Sequence, residues 1–345
     1  MMGRRSVTSR RTHGTLGMPA PSSLLEESIM FERDSKATRR PPRRLRSVLI
    51  ALSLALVAWP LASVASAAQR EFATPEEAVT ALIDAVKANN QKALLDILGP
   101  QSRPLVFSGD SVADKNAGQR FVAEYDAAHR LQGGGGKVVL YVGTDDFPFA
   151  IPLVPDGPMW RFDTPAGKEE ILNRRIGENE LDTIQVCLAY VDAQRDYASE
   201  DRNADGIREY AQKFTSASGK RDGLYWETKP GEPLSPLGPV IARARAEGYG
   251  GKGASAPYHG YYYRILTAQG SSPQDGAYNY IAHGRMIGGF AMVAFPAEYG
   301  VSGIMTFIVN HDGVVYEKNL GPKTAPIARA MNIFNPDSTW KAVTP

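Results

Sequence analysis

Cysteine is almost missing from this chain: Cys187 is the only one in 345 residues, so no intramolecular disulfide can form. A lipid-anchored export signal needs a Cys just after its apolar core, and none stands there. Beyond residue 68 no apolar run approaches the 18 residues of a membrane helix. His129, His259, His283 and His311 show no H-x-x-x-H or similar ligand spacing, so zinc chemistry has no local signature. There is no G-x-S-x-G, and no S-x-x-K beside its partners. Gly251-Lys252 is followed by Gly253 where a phosphate loop needs Ser or Thr. Asp145-Asp146 and Glu169-Glu170 are sequence neighbours, which sends the paired carboxylates to different faces, unlike a glycosidase pair. A surplus of positive charge is also missing where it would matter. Residues 1–46 hold 11 of the 39 Lys and Arg but only 4 of the 37 Asp and Glu, which leaves 28 basic and 33 acidic residues after them. A nucleic-acid surface is therefore not expected.

What is present begins with an export signal. Arg39, Arg40, Arg43, Arg44 and Arg46 lead into the apolar run Val48–Ala58, and Ala65-Ser66-Ala67-Ala68 supplies small residues for cleavage. A basic region, a short apolar core and an A-x-A-like end read as a secretory signal peptide, here with an unusually long extension over residues 1–46. The expectation is a periplasmic or secreted bacterial protein that starts near residue 69. It keeps no membrane span and no lipid anchor.

The rest reads as α+β. Thr74-Pro75-Glu76-Glu77 is a capping box, and Val79, Leu82, Ile83 and Val86 share one helical face. A second short helix is expected over 91–98. Lys137–Val142, Phe147–Val154 and Pro158–Phe162 suit an antiparallel meander. A helix over 167–176 should stop at Gly177. A longer one, capped by Asn179, should face a core with Leu181, Ile184, Leu188 and Val191. Cys187 falls on this stripe and is expected as a core residue rather than a nucleophile. Further on, a short helix is expected over 207–214 and another inside the Pro- and Gly-rich stretch at 240–246. Strands are expected over 258–266, 286–295, 304–309 and 314–318, then a helix over 324–334. This gives an N-terminal helix-plus-antiparallel-sheet part over 69–177. After it, 178–345 carries a long central helix, an acidic loop and a C-terminal antiparallel sheet with a terminal helix, either separate or continuous with the first part.

Two constellations invite chemistry. Asp201, Asn203 and Asp205 alternate, Gly206 is sixth, Ile207 offers a carbonyl at the seventh position and Glu209 is ninth. That is the first half of a calcium loop. Gln212 replaces the bidentate Glu at position twelve, so a calcium site would be weaker or borrow Asp196, Glu200 or Asp222. The competing reading is an Asx-rich connection that caps its neighbours. The second constellation is Tyr258–Tyr263. On a strand, Tyr258, Gly260 and Tyr262 share one face, and His259, Tyr261 and Tyr263 the other. Tyr258, His259, Tyr261 and Tyr263 are thus a candidate binding face for a glycan or extended peptide.

The blocks Pro257–Tyr263, Gly288–Gly300, Tyr197–Gly206, Asp222–Trp226 and Gly303–Asn310 occur in an order that resembles a known family. It is the set of exported bacterial proteins gathered as domain-of-unknown-function family 2950, and the likeness spans about residues 72–343. The resemblance implies export and a shared full-length architecture. It carries no activity, substrate or catalytic residue. The expected function is a non-enzymatic binding or assembly module of the cell envelope, stabilised by calcium if the acidic loop holds it. Its partner would be an envelope component or extracellular ligand. The rival is a hydrolase of an envelope polymer or glycan, with His259 and Asp222 or Glu298 as acid and base.

Overall fold

The computed structural model describes residues 69–250 and 256–343. The expected signal peptide, the basic extension before it and the Gly251-Lys252-Gly253 stretch lie outside them.

The chain enters through helix α1 (Pro75–Lys87). Thr74 Oγ1 accepts the Glu77 N–H at 3.2 Å, while Glu77 Oε2 reaches back to the Ala73 N–H at 3.1 Å. This reciprocal cap, with Pro75 at the first position, fixes the start of the helix. Helix α2 (Gln91–Leu98) is capped by Asn90, and one turn of helix, α3 (Arg103–Val106), follows. Helix α4 (Ser111–Ala127) is capped by Asp110, whose Oδ1 accepts the N–H groups of Val112 and Ala113.

The first sheet comprises β1 (His129–Gly134), β2 (Lys137–Val142), β3 (Phe147–Pro148), β4 (Leu153–Asp156) and β5 (Met159–Phe162). Its order is β1-β2-β4-β5, with β3 on β2, all antiparallel. Gly135 and Gly136 turn the first hairpin with φ of 60° and 77°, which a two-residue primed turn requires. Val79, Leu82 and Ile83 of α1 pack here with Leu140, Leu153 and Phe162 in one apolar core.

Helix α5 (Thr164–Ala198) is a single rod of 35 residues. Ile176, Asn179, Thr183, Cys187, Tyr190, Gln194 and Tyr197, spaced three and four apart, form a buried stripe, with Val191 and Ala193 buried beside it. After it come α6 (Gly238–Ala246), β6 (Tyr261–Leu266), β7 (Ala268–Gln269), β8 (Tyr278–Asn279), β9 (Ile281–Ala282), β10 (Arg285–Met286), β11 (Ala291–Pro296), β12 (Met305–Asn310) and β13 (Val315–Asn319). Helix α7 (Thr324–Ala330), β14 (Ile333–Phe334) and β15 (Lys341–Ala342) close the chain. The principal C-terminal sheet runs β15-β13-β12-β11-β6, antiparallel throughout. Along β6, Tyr261 and Tyr263 reach Glu180 and Thr183 of α5, while Arg264 reaches Ala328 of α7. The two helices therefore cover opposite faces of the sheet. That explains why all six residues of β11 are buried rather than alternating.

The architecture is the mixed α+β expected, with N-terminal helices and sheet, a long central helix and C-terminal antiparallel sheets. Several local expectations are corrected. Helix α5 starts at Thr164 and passes through Gly177 without a break, because Gly177 lies on the solvent side and its lost propensity is about 1 kcal/mol. Leu181 is 68% exposed, so the core stripe is centred on Thr183 and Cys187 instead. Residues 207–214 are irregular, not helical. Tyr210 N–H bonds Met286 O at 2.8 Å, and the side chain of Gln194 pairs with both backbone groups of Ala211. The strand expected over 147–154 is split into β3 and β4, and that over 286–295 into β10 and β11, with Gly289 (φ 140°) between the latter pair. Helix α7 ends at Ala330, and Ile333–Phe334 is a strand parallel to β7.

Candidate functional site

The acidic loop is held by its own side chains. Asp201 accepts the N–H groups of Asn203 and Gly206, which holds its carboxyl below the usual range. Asp205 takes both terminal nitrogens of Arg285, and this charge-assisted fork likewise depresses it. Glu209 accepts the Asn203 amide. Of the residues a calcium ion could borrow, Glu200 and Asp196 face Arg202 at 2.7 and 4.0 Å, and Asp222 pairs with Lys213 at 2.7 Å. Ile207 is half exposed and its N–H bonds Asp205. Among the described residues no three His, Cys, Asp or Glu side chains gather as metal ligands. The arrangement is an Asx-turn connection clamped by arginine.

The Tyr258–Tyr263 block is divided. His259 and Gly260 have positive φ (50° and 73°), so residues 258–261 form a tight turn and the strand begins only at Tyr261. The expected alternation of faces therefore does not extend to Tyr258, His259 and Gly260. Gly260 is required twice over: its φ is left-handed, and a Cβ there would sit 2.5 Å from Asn179 Nδ2. Tyr261 is fully buried, bonded to Met305 O, and Tyr263 bonds Tyr258 O. Neither phenol hydroxyl lines an open face. Burial pushes the Tyr258 hydroxyl up to about 12, with Glu247 adding to it.

The turn places His259 between two carboxylates. Its Nδ1 is 3.0 Å from Asp182 Oδ2 of α5, and its Nε2 is 3.3 Å from Glu247 Oε2 just after α6. These are close charge contacts, and Glu247 Oε2 has no hydrogen-bond partner among the described residues. Arg243 completes the cluster, donating to Glu247 Oε1 at 2.9 Å. Behind it, the buried Asp110 carboxylate accepts from Gly260 N–H at 3.0 Å and Tyr249 O–H at 2.9 Å. Thus α4, α5, the residues after α6 and the start of β6 are tied at one point. The carboxylates beside His259 are Asp182 and Glu247, not Asp222 or Glu298. Asp222 is engaged by Lys213 and the Ala217 N–H. Glu298 sits in the turn after β11, where its backbone pairs with Ser302.

An open concavity lies farther along β6. A groove of about 690 Å³ is lined by residues 212–215, Tyr262–Ile265, Phe295 and Arg329. Arg329 stacks over Tyr262 at 5.9 Å. Arg264 donates to Asn332 Oδ1 and Ala328 O, and its Nε is buried with no hydrogen-bond partner among the described residues. Burial draws the pKa of this guanidinium down. Neither arginine has a carboxylate partner among the described ion pairs, whereas Lys213 has Asp222. The groove thus carries a positive excess beside aromatic walls.

Its backbone is also open. Ala297 N–H bonds Gly260 O on the β6–β11 register, so Tyr262, Arg264 and Leu266 are the residues that exchange hydrogen bonds with β11. Tyr261, Tyr263 and Ile265 point the other way. Tyr261 is satisfied by Tyr258, whose N–H and C=O both pair with it. The N–H and C=O of Tyr263 and Ile265 have no partner among the described residues.

The family model described as Protein of unknown function (DUF2950) matches residues 69–343. The chain belongs to this family. The DUF2950 match spans both apolar cores, the His259 cluster and the β6 groove. No curated protein and no solved structure matches the chain. No described helix of this DUF2950 protein is long and apolar enough to cross a membrane. Sequence reasoning found His259 but missed Asp110, Asp182, Glu247, Arg264 and Arg329. These belong to different elements, and only Arg264 lies near the tyrosine block that drew notice.

Proposed function

We propose that this protein is a non-enzymatic binding module of the bacterial cell envelope and that the groove beside β6 is its ligand site. The observation that carries the reading is the coincidence, in one concavity, of unpaired cationic side chains, aromatic walls and unpaired strand backbone. The catalytic alternative has less support. His259 is tied up by Asp182 and Glu247 with its side chain only 15% exposed, and Asp222 is engaged by Lys213. Envelope placement rests on the basic, apolar and small-residue pattern over 39–68.

Titration of the isotope-labelled mature chain with peptides and with glycan fragments tests the site. Amide shifts are expected to move at residues 212–215, 262–265 and 329, and nowhere as strongly. Turnover of a cell-wall or glycan substrate that His259→Ala abolishes would overturn the reading. Export is checked separately: the mature N-terminus recovered from a fractionated cell should lie near residue 69.

A further inference from the structure

Strand β6 is an edge of the principal C-terminal sheet, and its free edge opens into a groove. An unpaired strand edge is a template for another extended chain. Natural sheets blunt such edges or use them, and peptide recognition by strand addition is the common use. At the opposite edge this sheet already does so with its own tail. Residues 341–342 pair with Tyr316 and Glu317 of β13, and Val343 N–H bonds Val315 O. The β6 edge has the same four backbone groups to offer, at Tyr263 and Ile265, and nothing described covers them. The turn at Tyr258 blocks the edge at one end, which confines any added strand to the stretch beside residues 263–265.

We propose that the ligand is an extended, acidic polypeptide segment that adds to β6 as a further strand and bonds the backbone of Tyr263 and Ile265. The proposal rests on the groove being the ligand site. Backbone pairing supplies the docking geometry, and charge selects the partner. Arg264 and Arg329 lie on the α7 side of the groove without carboxylates, while Lys213, also in its lining, is paired with Asp222. Acidic side chains at alternate positions of an added strand would meet the arginines. The same charges disfavour a second copy of this chain, because pairing β6 with β6 would bring Arg264 and Arg329 of both copies together.

The probe is a blocked heptapeptide in which glutamate alternates with threonine and valine. Binding to the mature chain is followed by fluorescence anisotropy and by amide hydrogen exchange. Saturable binding should slow exchange at Tyr263 and Ile265 at least tenfold. Replacing glutamate by lysine, or N-methylating the three central amides, should weaken binding at least tenfold, about 1.4 kcal/mol. Arg329→Glu should weaken it severalfold while leaving the melting temperature near the parent's, and added salt should weaken it likewise.

If the acidic peptide moves groove resonances but Tyr263 and Ile265 exchange as before, or N-methylation changes nothing, strand addition is wrong and the groove stands as a ligand site. If acidic, basic and neutral peptides and glycan fragments all leave the groove unperturbed, both readings fall. If the two amides become protected with rising protein concentration and no peptide, the occupant is a second copy and the acidic partner is refuted.

Discussion

Asp110 is the residue whose removal should injure the fold most for its size. The carboxylate is 2% exposed and accepts four hydrogen bonds: Val112 N–H and Ala113 N–H at Oδ1, Tyr249 O–H and Gly260 N–H at Oδ2. Asp110→Ala removes an N-cap, about 1 kcal/mol. It also strands Gly260 N–H and Tyr249 O–H in the interior, at about 1–3 kcal/mol each. The expected loss is about 4 kcal/mol, which for a chain of this length lowers the melting temperature by roughly 8–16 °C. Asp110→Ser restores the cap alone and should recover about 1 kcal/mol. Tyr249→Phe should destabilise the parent by about 1 kcal/mol and change little when combined with Asp110→Ala, because the bond it removes is already gone. Urea denaturation of the four variants measures this. An Asp110→Ala protein within 1 kcal/mol of the parent, or additive effects of the two changes, would refute the hub.

Four further outcomes follow from the same structure. Gln194→Ala leaves Ala211 N–H and C=O unpaired beside Tyr190, so urea unfolding should show a loss of about 2–4 kcal/mol. Cys187 is buried, and its thiol is pushed up to about 12 by desolvation; it should resist alkylation at pH 8 in the native protein and react fully in denaturant. Because this folded value and that of Tyr258 exceed the unfolded ones near 8.5 and 10, stability is complete below about pH 8.5 and declines as pH rises toward 12, which melts between pH 8 and 11 will show. Millimolar calcium should leave the melt within about 1 °C of that in EDTA, since Arg285 already neutralises Asp205; a rise of 5 °C or more, removed by Asp205→Ala, would reinstate the loop as a calcium site.

What could be read from the sequence was what local chemistry determines. Thr74, Pro75 and Glu77 announce α1 because all parts of that cap lie within four residues. The β12–β13 hairpin was readable because turn residues separate two apolar runs. Helix α4 was not, because none of its residues is buried and no apolar stripe betrays it. Residues 207–214 have helical composition, yet Gln194 and Met286 supply their backbone partners from afar. The candidate site failed to show for the same reason. Tyr263 and Ile265 look like any strand residues, and only the register against β11 reveals which backbone groups are spare. His259 was singled out from its aromatic setting, but its carboxylates come from residues 182 and 247, which no spacing rule joins to it.

The proposed site depends most on the free edge of β6, and amide hydrogen exchange of the ligand-free chain from residue 69 onward tests that edge directly. Tyr262, Arg264 and Leu266, bonded to β11, should exchange slowly, with protection approaching that of the sheet interior. Tyr263 and Ile265, between them, should exchange orders of magnitude faster. Alternating fast and slow amides along these five residues is the predicted result. Uniform protection from Tyr262 to Leu266 would mean that the edge is already covered, and the groove would lose its claim to be the binding site.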